Sequence, residues 1–225
     1  MIIQKQKEYQ AILDALEGEE KVFVAGCSDC ATACKVGGEE EVAAMKARLE
    51  ADGKTVTGTT IFDTACQRGA VRKKGKECRD AIVAADAILV LACGTGVQTV
   101  GETLDKRTHV GADSLFVGEV RRLGKYSEKC STCGECLLED YEGICPVTRC
   151  AKGLLNGPCG GAVDGKCEVD PEQDCAWILI YERMKERGTL DRLKTYRGPK
   201  DQSRRQTPRS YAWPKAKKSS EKKAS

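Results

Sequence analysis

Aromatic side chains are scarce: among 225 residues there are 3 Phe, 2 Trp and 6 Tyr. Aromatic rings normally supply much of a core's buried area, so something else must help to hold part of this chain together. Histidine is almost missing as well. The one residue of that type, His109 in Thr108-His109-Val110, is flanked by no triad or HExxH pattern and is read as structural. No stretch approaches the roughly 20 apolar residues of a membrane span. The opening residues, Met1 to Lys7, lack the charged segment and apolar run of a secretory signal, so a cytoplasmic location is expected. The net charge of +3 is small and gives no reason to expect a nucleic-acid partner. The basic residues gather from Lys200 onward.

Cysteine is what the sequence has in excess, 14 in all. A reducing cytosol keeps thiols reduced, and cysteines at short spacing then point to metal or redox chemistry. Disulfides and mostly buried thiols are the weaker explanations.

Hydrophobic periodicity predicts a helix over residues 2–17, a strand over 21–25, a helix over 39–52 and a strand over 55–61. A helix over 78–85 follows, then an apolar strand over 87–92 and a fourth strand over 114–117. Alternating helices and strands argue for a parallel α/β sheet, so residues 1–120 are expected to form a small Rossmann-like domain. Residues 121–190 hold eight cysteines from Cys130 to Cys175, many glycines and little periodicity. This segment is expected to be a ferredoxin-like loop domain stapled by metal, since it offers few apolar side chains to fold around. One helix over 175–185 closes it. Residues 191–225 form an extended basic tail. Within it, residues 196–214 carry Arg204, Arg205, Pro208, Tyr211, Trp213 and Pro214, types that anchor interfaces, and are expected to wrap a partner. Residues 215–225 are expected to be solvated.

Cys27, Cys30 and Cys34 form C-x2-C-x3-C directly after the first parallel strand. Cys66 and Cys93 sit near the ends of other predicted strands, where ligands of open parallel sheets collect. Three local thiolates and one of these two would supply the four that a [4Fe–4S] cluster needs. Cys78 falls inside a predicted helix and is read as structural. Cys93-Gly94-Thr95-Gly96 sits where a dinucleotide turn would sit, but it lacks the third glycine. Asp113 is the only acidic residue at the ribose-binding distance of about 20 residues, so close approach of backbone to a cluster is preferred.

Cys130, Cys133 and Cys136 form C-x2-C-x2-C, the opening of the bacterial ferredoxin run. Cys145-Pro146 follows at a longer spacing. Cys130, Cys133, Cys136 and Cys145 make the simplest second site, with Cys150 open as a substitute for Cys145. Cys150, Cys159, Cys167 and Cys175 remain for a third, either a cluster or zinc.

The stretch from Cys130 through Ile144-Cys145-Pro146-Val147-Thr148-Arg149-Cys150, Asn156-Gly157-Pro158-Cys159-Gly160-Gly161 and Gly165-Lys166-Cys167 to Cys175-Ala176-Trp177 resembles the C-terminal domain family of methylenetetrahydrofolate reductase. Gly26-Cys27-x2-Cys30-x3-Cys34 and Ala92-Cys93-Gly94 resemble the companion half of its small accessory subunits in acetogens. The resemblance implies an electron-transfer subunit with two or three [4Fe–4S] clusters, zinc in place of one staying open. It implies a partner, a flavin-bearing TIM-barrel subunit that reduces methylenetetrahydrofolate, and beyond it a larger electron-supplying complex. It also implies the methyl branch of the reductive acetyl-CoA pathway. A structural zinc module that docks the same partner is the alternative, and a self-sufficient oxidoreductase is the least favoured.

Overall fold

A computed structural model describes residues 1–212; Trp213, Pro214 and the solvated stretch expected over 215–225 lie outside the described residues. The elements in chain order are β1 (Ile2–Gln6), α1 (Tyr9–Ala15), β2 (Lys21–Cys27), α2 (Cys30–Ala33), α3 (Glu39–Ala51) and β3 (Thr55–Phe62). Then come α4 (Arg68–Glu77), α5 (Arg79–Ala84), β4 (Ala87–Leu91), α6 (Gly94–Leu104) and β5 (Thr108–Val110). The hairpin β6 (Ala112–Arg122) and β7 (Lys125–Cys130) follows, then α7 (Pro146–Arg149), α8 (Ala176–Glu186) and two short 3-10 turns, Leu190–Lys194 and Gln202–Arg205.

The α/β class holds. Four parallel strands lie in the order β3-β2-β4-β5. Both central strands are apolar, and every residue of β4 is buried. Their alternation serves both faces at once. Phe23, Ala25, Ile88 and Val90 fill one layer; Val22, Val24, Leu89 and Leu91 fill the other with α1 and α3. Burying each such aliphatic side chain is worth about 1.5–3 kcal/mol. The start of α3 is fixed by the Glu41 carboxylate, which accepts the Gly38 N–H at 2.9 Å, and by three glutamates in the first turn, where the helix dipole favours negative charge.

Two expectations are corrected. The helix expected over residues 2–17 begins only at Tyr9, because residues 2–6 form β1. Ile2-Ile3-Gln4-Lys5-Gln6 suits either state, and antiparallel pairing with β6, Ile3 opposite Phe116, decides it; tertiary contacts override weak propensity. Residues 114–117 are indeed extended but belong to β6, in a separate antiparallel sheet ordered β1-β6-β7. The fourth parallel strand is β5, three residues long, too short to leave a pattern. The boundary expected near residue 120 falls inside β6, and the Cys-rich segment grows out of this second sheet.

The Cys-rich segment also has more core than its composition suggests. Leu137, Tyr141, Ile144, Cys175, Trp177, Ile180 and Met184 form a buried cluster. Its centre is the Trp177 indole, in a T-shaped pair with Tyr141 at 5.3 Å.

Backbone closeness shapes the end of β2. The Gly37 carbonyl accepts the Cys27 N–H at 2.9 Å, and a Cβ at Gly37 would lie 1.8 Å from the Leu91 carbonyl oxygen. Gly37→Ala should therefore cost about 1–3 kcal/mol, as overpacking does. Gly69, within α4, is the control, since a methyl added there would have nothing within 4 Å. Gly69→Ala should stabilise by up to about 1 kcal/mol, and urea unfolding of both variants checks the contrast. His109 gives a second prediction. Burial, reinforced by the Arg107 charge and opposed by Glu19, lowers its pKa. The unfolded chain then takes up a proton near pH ~6.5 before the folded one does, so acidification through that window weakens the fold. In thermal melts, His109→Gln should flatten the loss of stability between about pH 7 and the acid side of that pKa.

Candidate metal centres

In a sheet ordered β3-β2-β4-β5, the chain leaves β2 and β4 in opposite directions, and the crevice between their carboxyl ends is the usual ligand position. Cys27 is the last residue of β2, and Cys93 caps the start of α6 just after β4. Cys66 lies between β3 and α4 and Cys30 opens α2, so four cysteines lie toward one end of the sheet. The Cys27 sulfur accepts the Ala65 N–H at 3.5 Å. A Cβ at Gly96 would lie 3.1 Å from the Ala65 Cβ and 3.2 Å from the Ala92 Cβ, so the loops carrying Cys66 and Cys93 touch. The Ser114 hydroxyl, reaching over from β6, accepts the Gly94 N–H at 2.9 Å and pins the Cys93 turn. The Cys66 thiol is pushed above its ordinary pKa by desolvation, then by the charge of Cys93, with Cys27 and Cys30 adding to it.

Cys34 faces elsewhere. Its thiol approaches the Ile2 carbonyl of β1 at 3.9 Å, and the Tyr126 hydroxyl of β7 donates to the neighbouring Ala33 carbonyl at 3.1 Å. Burial raises the Cys34 pKa most, and Cys30 contributes. Cys66 and Cys93 both lie near Cys27 and Cys30, and Cys34, also beside Cys30, contacts β1. Cys78 sits at the joint between α4 and α5, packed against the core. The Gly94-Thr95-Gly96 turn opens α6, and Asp113 is paired with Lys7 at 2.5 Å.

In the second region Cys130, Cys133, Cys136 and Cys145 line one cavity of about 260 Å³, with Leu137, Leu138 and Val147 among its apolar walls. Cys150 does not line it and packs instead against the Trp177 cluster. The Cys130 sulfur accepts the Thr132 N–H at 3.3 Å, which bends the loop tightly enough to give Thr132 a φ of +51° and Gly134 one of +79°. The Cys133 thiol donates to the Glu135 carbonyl at 3.3 Å. Desolvation raises the Cys133 pKa, but the Glu135 backbone and then the Lys200 ammonium more than offset it, so the net shift is downward. The cavity is well beyond the roughly 10–15 Å³ that a single water-sized sphere needs, so its four cysteines are a donor set that could hold a cofactor of more than one atom.

The last set is less gathered. Cys167 and Cys175 lie on facing backbones, the Cys175 N–H donating to the Gly165 carbonyl at 2.8 Å. The Cys159 thiol faces the Glu168 carboxylate at 3.6 Å, and Lys152 pairs with that same carboxylate. Cys175 is buried in the Trp177 cluster. All 14 cysteines are free of disulfides. Among the described residues no three His, Cys, Asp or Glu side chains are gathered at the spacing of a single metal ion, and no helix is long and apolar enough to cross a membrane.

No sequence signal foretells what the tail does here. The Asn156 side chain exchanges two hydrogen bonds of 2.8 Å with the Arg197 backbone, Arg197 pairs with Asp140, and the Arg209 guanidinium donates to the Thr132 carbonyl at 2.9 Å. Up to Arg209 the segment expected to wrap a partner therefore lies on the chain's own cysteine loop. No curated protein and no solved structure matches the chain. Residues 109–203 match the family described as "Methylene-tetrahydrofolate reductase C terminal", a stretch that spans all eight cysteines from Cys130 to Cys175 and ends inside the tail segment. Over these residues, and in its cysteine pattern, the chain is similar to the methylene-tetrahydrofolate reductase C-terminal family.

Proposed function

We propose that the chain is an iron–sulfur electron-transfer subunit serving a methylenetetrahydrofolate reductase. The observation that carries the reading is the cavity bounded by Cys130, Cys133, Cys136 and Cys145. Four thiolates around a space larger than an ion are the donor set of a [4Fe–4S] cluster. A second cluster would be held by Cys27, Cys30, Cys66 and Cys93 at the sheet's switch point, leaving Cys34 free. Such clusters supply one-electron storage at a potential that the surrounding charge and hydrogen bonds set.

The chain's own residues bind, orient and shield. Backbone N–H groups of Ala65 and Thr132 donate to the Cys27 and Cys130 sulfurs, which holds those sulfurs in place and favours the thiolate form. The folate chemistry and the flavin belong to the partner, a TIM-barrel flavoprotein. The family match supports association with such a reductase, and the described residues do not form the eight βα units of a barrel. Cys150, Cys159, Cys167 and Cys175 are the place where zinc would substitute for a third cluster.

Iron counting on anaerobically purified protein tests the ligand sets. Cys133→Ser and Cys66→Ser should each remove about four irons, whereas Cys34→Ser and Cys150→Ser should remove none. An iron-free, zinc-containing wild type would instead favour the docking-module reading. The partner role is tested with the purified flavoprotein subunit. Cys133→Ser should bind it as the wild type does and fail to reduce its flavin from dithionite-reduced chain. Flavin reduction at the wild-type rate would remove the electron-transfer role.

A further inference from the structure

The segment that follows Pro199 is basic, and its first cation is not in water. The Lys200 side chain is 5% exposed. Its ammonium donates to the Glu135 carbonyl, the same oxygen that takes the Cys133 S–H at 3.3 Å. Ammonium and thiol are thus neighbours across one acceptor. The nearest carboxylate, that of Glu135, stands off at 3.9 Å and is about one third exposed. A buried ammonium is costly unless an anion matches it, and here a carbonyl and a loose ion pair are all that meet it.

The backbone around Lys200 is held down over the same loop. A Cβ at Gly134 would lie 2.9 Å from the Arg204 Cβ and 3.0 Å from the Arg204 carbonyl oxygen. The Arg209 guanidinium ties the Thr132 and Arg204 carbonyls together, at 2.9 Å each. Asp201 sets the turn between them, accepting the Ser203 N–H at 3.0 Å. Residues 197–209 are therefore a strap that lies against the Thr132–Glu135 stretch of the cysteine loop.

We infer that Lys200 is a positioning residue for the Cys130–Cys133–Cys136–Cys145 centre: the strap delivers one buried positive charge beside Cys133, where it stabilises the added negative charge when that centre accepts an electron. The inference rests on the reading of those four cysteines as cluster ligands. Four thiolates on a [4Fe–4S]2+ core carry a net charge of −2, and one electron from the reductant takes this to −3 with no proton or bond transferred. A fixed cation favours the more negative state, so it raises the reduction potential. Arg204 and Arg209 are exposed and act through water, where charge is screened; Lys200 is the one that is not.

The test is potentiometric EPR on the full chain, following the reduced signal that Cys133→Ser abolishes. Lys200→Met should lower the reduction equilibrium constant at that centre by about tenfold, or ~59 mV for one electron, with the iron count unchanged. Lys200→Arg, which keeps the charge, should restore most of the shift. Loss of iron in Lys200→Met but not in Lys200→Arg also counts for the inference, because charge is what separates the two. An unchanged midpoint in Lys200→Met, or loss of iron from both variants, overturns it. A wild-type chain with no iron lost on Cys133→Ser overturns the cluster reading itself, and this inference with it.

Discussion

The cysteine-rich half depends on one side chain, Trp177. Its indole stands at 79° to the Tyr141 ring in a T-shaped pair, its Nε1–H donates to the Leu154 carbonyl at 3.2 Å, and a Cβ at Gly157 would intrude to 2.5 Å from the ring. An aromatic pair of this kind adds about 0.5–1.5 kcal/mol beyond its burial. What matters more is which neighbours it fixes. Leu137 and Ile144, both buried in the same cluster, directly follow Cys136 and directly precede Cys145. Tyr141, midway between them, donates its hydroxyl to the Leu155 carbonyl at 2.8 Å. The core therefore grips the loop at the two residues adjoining candidate ligands, and the longer spacing from Cys136 to Cys145 is the length of chain needed to pass around it. The departure from the compact ferredoxin spacing has a structural cause in that detour.

The parallel sheet was legible because its strands are long and apolar. Residues 87–92 and 21–25 announce themselves by hydrophobic runs, and β3 and α3 fall close to their expected limits. Missed features share one physical character: they are decided by partners elsewhere in the chain. β1 is a strand because of β6, which lies at the far end of the α/β half. β5 is three residues long and exists because β4 is beside it. The core of the Cys-rich segment draws Trp177, Ile180 and Met184 from α8, so composition counted over 130–175 alone understated it. The positions of Cys66 and Cys93 as strand-end residues were readable, since the sheet's topology follows from its element order. That Cys34 turns away was not readable, because C-x2-C-x3-C spacing is indifferent to which side of α2 meets a second sheet. Lys200 was visible only as the first of a run of cations, and nothing local distinguishes the one that is buried from those that are solvated.

The two thiol groups sit in different electrostatic settings. At the sheet end the Cys66 thiol is raised by desolvation and by its fellow cysteines, so the site gathers negative charge with little to offset it. Beneath the strap the Cys133 thiol is lowered, with Lys200 among the causes. One site is rigid, built on the ends of buried strands; the other is built on loops and completed by a segment 65 residues downstream of Glu135. A backbone N–H reaches a sulfur in each group, from Ala65 to Cys27 and from Thr132 to Cys130, and only the second also has a buried ammonium beside it.

The antiparallel sheet is what connects them. Ile2 of β1 pairs with Val117 of β6, and Val117 pairs with Cys130 of β7. At the outer edge of this row the Ile2 carbonyl meets the Cys34 thiol at 3.9 Å, and Cys34 follows Cys30 by one turn of α2. Cys130 ends the row on the other side. Neighbouring strands are about 4.8 Å apart, so the ladder from Ile2 to Cys130 spans on the order of 10 Å, two strand spacings. The β1-β6-β7 sheet thus sets Cys34, which stands apart from Cys27, Cys66 and Cys93, in line with Cys130 at the two ends of a single hydrogen-bonded row. β1, the strand that the sequence disguises as helix, is the element that closes this row, because its pairing with β6 sets Ile2 in line with Val117.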